Sequence, residues 1–124
     1  MAVLMSVLLL QFNSPQQAVP IVYEPRPPLL QVDAKAIAKE LLNKKQYGCL
    51  AKLLGKESAW KSTAKNPTSS ASGIGQLLSS TYKNLGMKKT DAGVSQLVAT
   101  LAYISRRHLH PCGAWKHFQN KGWY

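Results

Sequence analysis

The apolar positions divide the chain at about residue 31. Residues 2–10, AVLMSVLLL, form an almost unbroken apolar run, and five of the seven prolines follow between residues 15 and 28. The run is too short to cross a bilayer as a helix, which needs about 20 residues. A segment so rich in proline reads as an extended linker. Residues 1–31 are therefore expected to be either an export signal with its spacer or an apolar peg that inserts into a partner. The first basic residue is Arg26, so no positive n-region precedes the run.

Beyond it the spacing turns helical. Asp33 stands where a first helix would be capped, with Ala34, Ile37, Ala38, Leu41 and Leu42 as its apolar positions. Asn43–Gly48 reads as a break. A second helix carries Leu50, Leu53 and Leu54 on one face, with Lys52 and Lys56 off it. Residues 62–72 are rich in turn formers and contain Asn66-Pro67, so they read as a loop. Order resumes at Gly73-Ile74-Gly75. Leu77, Leu78, Thr81, Tyr82 and Leu85 set a third helix that ends near Gly86. Thr90-Asp91 is expected to cap a fourth, with Val94, Leu97, Val98, Leu101 and Ile104 as its stripe. Arg106, Arg107 and His108 stand at its C-terminal end, where cations suit the helix dipole, and Pro111 stops it. The tail, CGAWKHFQNKGWY, is read as wrapping back in a short helix. No stretch alternates as a strand does, and no internal repeat is present. The expected fold is mainly α, a small helical domain over residues 32–124 behind an irregular apolar and proline-rich extension over 1–31.

Charge narrows the partners. Sixteen Lys and Arg against five Asp and Glu give a formal net charge of +11, and with 45% apolar residues the chain is not of disordered composition. The charge therefore sits on a folded surface, either simply solvated or facing a polyanion such as nucleic acid, anionic lipid or the bacterial envelope. The lysines are scattered from Lys35 to Lys121, with no helix-turn-helix, zinc-finger or RNP signature among them, so no nucleic-acid partner is expected. Cys49 and Cys112 make no CxxC motif. They are either a disulfide, which in the chain-entropy model contributes roughly 4 kcal/mol, or two buried free thiols. His108, His110, Cys112 and His117 follow a spacing that matches no standard zinc site, so no metal is expected.

Continuing the apolar face of the second helix by three or four residues reaches Glu57. A carboxyl at the edge of an apolar face is desolvated. Its pKa rises, and it can carry a proton near neutral pH and donate it as a general acid. The plainer reading is a partly exposed glutamate at a helix end. The remaining acids suggest no second catalytic group. Glu24 lies in the proline-rich segment, Asp33 and Asp91 read as caps, and Glu40 falls off the Ile37/Leu41 face among lysines. Trp60 either stacks on a ligand or closes the core, while Trp115, Trp123 and Tyr124 read as core and tail packing.

Glu57-Ser58, an Asn/Ser-rich loop, Gly73-Ile74-Gly75-Gln76 and then Ala102-Tyr103-Ile104 follow one another in this order. The set resembles the lytic transglycosylase family, the SLT-type branch of the lysozyme-like superfamily. The pattern there is Glu-Ser, a loop, Gly-(Leu/Ile)-x-Gln and a later Ala-Tyr-(Leu/Ile) on a helix. The flanks YGCLAKLLGKESAWK and PCGAWKHFQNKGWY look closer still to the version found in phage virion and tape-measure proteins. The resemblance covers about residues 45 to 124. It implies a lysozyme-like fold with Glu57 as catalytic acid/base and with Ser58, Gly73, Gln76 and Tyr103 at the substrate site. Ser58 would support the acid at the helix end. Gly73 and Gln76 would shape a saccharide cleft, with Gln76 hydrogen-bonding a sugar, and Tyr103 would point at Glu57. Gly75 stands where the family often has Met or another large apolar residue. The match of Cys112 to the PCG motif, with Cys49 just before the helix of the acid, implies that the two cysteines are bonded.

The activity implied is cleavage of the MurNAc–GlcNAc bond of peptidoglycan by one carboxyl, leaving 1,6-anhydro-MurNAc ends, without a cofactor. The expected setting is a phage particle penetrating a cell wall, or export by a bacterium. The site of action is then virion-associated, secreted or periplasmic. Partners would be glycan strands, other virion proteins through residues 1–31, and a membrane through residues 2–10. Two other readings stand beside it. One is a non-catalytic murein-binding or structural virion protein that keeps the lysozyme-like fold. The other is a membrane-active basic protein driven by residues 2–10 and the charge.

Overall fold

The computed structural model describes residues 33–124, with Pro20 alone before them. The expectations for residues 1–31 lie outside the described residues. Five helices make the fold, α1 (Ala34–Leu41), α2 (Lys44–Ser58), α3 (Ser79–Leu85), α4 (Gly93–His108) and α5 (Pro111–Lys121). Among the described residues there is no strand, only isolated bridges pairing Ser72 with Lys65 and with Leu77. No described helix is long and apolar enough to cross a membrane.

Side-chain caps set the first two helices. The Asp33 carboxylate accepts from Lys35 N at 3.0 Å and starts α1. Asn43 Oδ1 accepts from Gln46 N at 2.8 Å and starts α2. The break expected over Asn43–Gly48 is therefore confined to Leu42 and Asn43, because an asparagine cap restarts the helix at once. Gly48 lies inside α2 with open space around it. Leu41, expected on the inward face, is 63% exposed at the last position of α1.

α4 also departs from its expected pattern. Its N-cap is Ala92, which has no side-chain cap, so Thr90-Asp91 does not cap it. Thr90 Oγ1 instead accepts from Ala92 N. The buried face is Gln96, Leu97, Ala99, Thr100 and Ile104, and Val98 is 50% exposed. The stripe is rotated so that two polar side chains turn inward, Gln96 to main-chain groups of the neighbouring loop that need partners and Thr100 to Gln96 O of its own helix. Pro111 both follows the end of α4 and opens α5 as its first residue, where its missing N–H costs nothing.

The core gathers Leu50, Leu53 and Leu54 of α2 with Ile74, Leu97 and Ile104, all fully buried. Each such side chain contributes about 1.5–3 kcal/mol by leaving water. α4 packs on α1, α3 and α5, and α2 packs most extensively on α5. That last contact is fastened covalently. Cys49 of α2 and Cys112 of α5 form a disulfide across a sequence separation of 63, with Cα atoms 4.9 Å apart. Neither cysteine is free. Beside the bond, Cys112 N donates to Gln46 Oε1 at 3.0 Å.

Candidate active site

Glu57 follows Leu53 by four residues and Leu54 by three, so the helix carries it to the end of its buried face, where it is half-buried. The chain then turns sharply. Ala59 and Trp60 both take positive φ, 51° and 61°, a region that non-glycine residues visit rarely and at a cost of about 1–3 kcal/mol each. The helix thus stops at Ser58, with Ala59 as its left-handed cap, and leaves the carboxyl at its rim. Trp60 packs against the core, with Lys35 Nζ 5.9 Å from its ring centroid, and it does not line the groove of the acid.

Behind the acid, the Gly73–Gln76 turn is held at three points. Ser58 is buried, and its hydroxyl donates to Ile74 O at 2.6 Å, tying the end of α2 to the turn. Gln96, 3% exposed, accepts from Ile74 N at 3.0 Å through Oε1. Its Nε2 donates to Ser62 O at 3.0 Å and to Thr90 O at 2.9 Å. The Tyr124 phenol donates to Gly75 O. The glycines follow from this crowding. Gly73 has φ 76°, and a Cβ there would overlap the Gln96 amide, while a Cβ on Gly75 would overlap Thr100 Oγ1. Thr100 Oγ1 is itself committed to Gln96 O at 2.7 Å. A large residue at position 75 is thus incompatible with Thr100 on α4 in this arrangement.

A groove of about 230 Å³ opens in front of the acid. Glu57, Gln76, Tyr103, Trp123 and Tyr124 line it, with Asn66 and Ala71 at one side. Gln76, at φ 50°, donates from Nε2 to Ala64 O at 3.2 Å and to Gly73 O at 2.9 Å. Both amide protons are spent inside the loop, so only Oε1 remains to meet a ligand. Tyr103 Oη donates to the main-chain oxygen of Tyr124 at 3.0 Å, and the two rings meet edge to face at 5.6 Å. Tyr103 therefore braces the segment that faces Glu57. The loop over residues 62–72 turns mostly away from this groove, into a polar recess of about 380 Å³ that includes Lys89 and Asp91. Its groups largely satisfy one another, as where Asn66 Oδ1 accepts from both Thr68 N and Thr68 Oγ1.

Burial raises the Glu57 carboxyl above its ordinary value, and burial is the whole cause. Burial, and then the nearby Glu57, push the Tyr124 phenol well above the usual tyrosine range. Tyr103 is raised by its own burial, against a smaller opposing effect of Arg107. Both phenols thus stay protonated at neutral pH, and Glu57 is the acidic side chain that lines the groove. Stability follows from the direction of that shift. Because the Glu57 pKa is higher folded than unfolded, its contribution is fully present below the unfolded value and is lost as pH rises through the folded one. Glu57→Gln is therefore expected to melt at a higher temperature than the intact protein above that window and level with it below. Paired thermal melts across pH check this, and a difference that grows on acidification would contradict it.

Of the residues singled out in the sequence, Glu57, Gln76 and Tyr103 line one groove. Ser58 and Gly73 do not line it, and instead hold the Gly73–Gln76 turn, Ser58 through Ile74 O and Gly73 by its close approach to Gln96. Trp123 is 48% exposed and forms a wall rather than tail packing, whereas Tyr124 is buried. Gln96 and Thr100 were not singled out. Their signal was a polar pair four apart beside Leu97, one helical turn within an apolar stripe. Gln96→Leu is expected to leave Ile74 N, Ser62 O and Thr90 O unpartnered and to cost about 2–3 kcal/mol. Chemical denaturation measures it, and a change under about 0.5 kcal/mol, the size of an ordinary surface substitution, would show that the turn is held without it. No cluster of three or more His, Cys, Asp or Glu is assembled among the described residues. Cys112 is spent in the disulfide and His110 Nδ1 caps α5 through Gly113 N. Comparison with family models, with curated proteins and with solved structures finds no match to this chain.

Proposed function

We propose that this chain is a lysozyme-like lytic transglycosylase that cleaves peptidoglycan with Glu57 as its single acid/base. The observation that carries the reading is a half-buried carboxyl with a raised pKa in a groove where no second acidic side chain is present among the described lining residues. Glycoside hydrolysis by the usual route needs two carboxyls flanking the bond. One carboxyl is enough when the nucleophile belongs to the substrate. Glu57 gives its proton to the oxygen leaving C1 of MurNAc as that bond breaks. The resulting carboxylate then takes the proton of the muramoyl 6-hydroxyl as O6 bonds to C1, which closes the 1,6-anhydro ring. Proximity replaces an activated water, and the acid ends each turnover protonated, as it began.

The disulfide favours action in an oxidising compartment, as in a virion or an exported protein, and the net charge of +11 draws the chain toward anionic wall polymers. Mass spectrometry of products released from purified murein tests the reaction. Anhydro-muropeptides are expected, and reducing ends would replace the lyase with a hydrolase. A second reading, a murein-binding module without turnover, draws support from the Gln76 amide protons being spent within the loop. Retention on sacculi with no soluble product is the outcome that selects it.

A further inference from the structure

The acid groove does not end at Tyr103. It continues into a wider recess of about 600 Å³ that shares Leu78, Thr81, Tyr103, Trp123 and Tyr124 with it. The recess is walled by α3, by the end of α4 and by the C-terminal tail. Arg106 and Arg107 line it, and no acidic side chain does among the described residues. Both guanidiniums are held in place. Arg106 Nη1 donates to Asn84 O of α3 at 3.3 Å, and Arg107 Cζ lies 5.6 Å from the Trp123 ring centroid. These contacts leave most of the N–H groups of the two forks uncommitted. Two anchored forks beside an exposed indole are a site for a planar anion carried on an amphipathic chain.

We infer that this recess is an anion subsite that holds a stem-peptide carboxylate of the murein strand whose glycan lies against Glu57. The inference rests on the proposed function, because the glycan chain that enters the acid groove bears those peptides on its muramoyl residues. The connection between the two compartments sets the order of binding along the strand. The sugar to be cleaved sits at the acid, and the peptide it carries, or the peptide of the adjoining repeat, reaches past Tyr103 to the arginines. Trp123 serves both, as a wall of the acid groove and as the surface on which Arg107 rests.

The test uses the full chain and sacculi freed of phosphate-bearing wall polymers. One preparation keeps native stem peptides, and in the other carbodiimide coupling with ammonia has turned the carboxyls into carboxamides. Co-sedimentation of the intact protein is expected to weaken about tenfold on amidation, the effect of losing charge-assisted hydrogen bonds at a partly exposed site. Arg106→Gln/Arg107→Gln is expected to bind both preparations alike, and Arg106→Gln alone to give an intermediate ratio. Lys39→Gln/Lys52→Gln removes two charges from α1 and α2, outside the recess, and is expected to keep the tenfold ratio. Both arginines are exposed, so circular dichroism of the double variant is expected to match the intact protein.

A ratio that persists in the arginine variant overturns the subsite. So does a ratio lost equally in the lysine variant, which would mean attraction by net charge alone. A preference that emerges only when phosphate-bearing polymers are left on the sacculi also overturns it, in favour of a phosphate. Soluble anhydro products without the carboxylate preference sink the subsite and leave the catalytic reading standing. The preference without any soluble product does the reverse.

Discussion

Glu57→Gln is expected to lower murein lysis by about 10²- to 10⁴-fold, the usual contribution of a positioned acid/base. Helix content and the disulfide should be unchanged. The amide is nearly isosteric with the carboxyl and sits at the rim of the Leu53/Leu54 face, so packing is preserved. What disappears is the proton that the proposed mechanism gives to the leaving oxygen. The same substitution relieves a desolvated charge, so the inactive variant should be at least as stable as the intact protein at neutral pH. Loss of lysis together with undiminished thermal stability separates a catalytic acid from a structural glutamate. Lysis retained to within a factor of three would remove Glu57 from the mechanism and with it the proposed reaction. Turbidity loss of purified sacculi, alongside melting curves of both proteins, gives the two readouts.

The second large effect is structural. Replacing Cys49 and Cys112 by Ser is expected to destabilise the protein by roughly 4 kcal/mol, the chain-entropy value for a loop of this length. The consequence for the site follows from where the bond lies. It joins α2 to α5, the most extensive helix pair of the fold. α2 ends at Glu57-Ser58, and α5 leads through Gly122 to Trp123 and Tyr124, two residues that face the acid. The bond thus ties the helix of the acid to the segment opposite it. Lysis by the Ser variant should fall faster with temperature than that of the oxidised protein, because the groove comes apart as α5 loosens. Denaturant midpoints of oxidised and substituted protein measure the stability, and a difference below about 1 kcal/mol, well short of the usual disulfide contribution, would mean that helix packing alone holds the pair.

Much of this architecture was legible along the chain, though unevenly. The helical stretches were visible because apolar spacing and capping are local. Asp33 and Asn43 each bond within three residues, and Gly86 and Gly122 close α3 and α5 in the left-handed conformation. The start of α2 was misplaced by the glycine at position 48, which lowers helix propensity but is tolerated in a helix held by α5. The stripe of α4 was misread at Val98 for another reason. Apolar spacing ranks residues by hydrophobicity, whereas Gln96 and Thr100 are buried for their hydrogen bonds. Thr100 bonds within its own helix, to Gln96 O, but the need that Gln96 meets arises in a loop more than twenty residues away, at Ile74.

Local order along the chain was enough to put Glu57 at the end of a buried helix face, since a residue three or four beyond a leucine stands over it whatever the rest of the fold does. It was also enough to mark the Gly73–Gln76 turn. The tertiary structure alone decided what faces the carboxyl. Tyr124 comes within its field from the far end of the chain, Tyr103 braces Tyr124 rather than the acid, and Gly75 is small because Thr100 occupies the space beside it. The physical reason is range. Helix geometry repeats over a few residues, whereas desolvation, close approach and the sharing of a hydrogen-bond partner depend on which distant segments are packed together, and no short-range period encodes that.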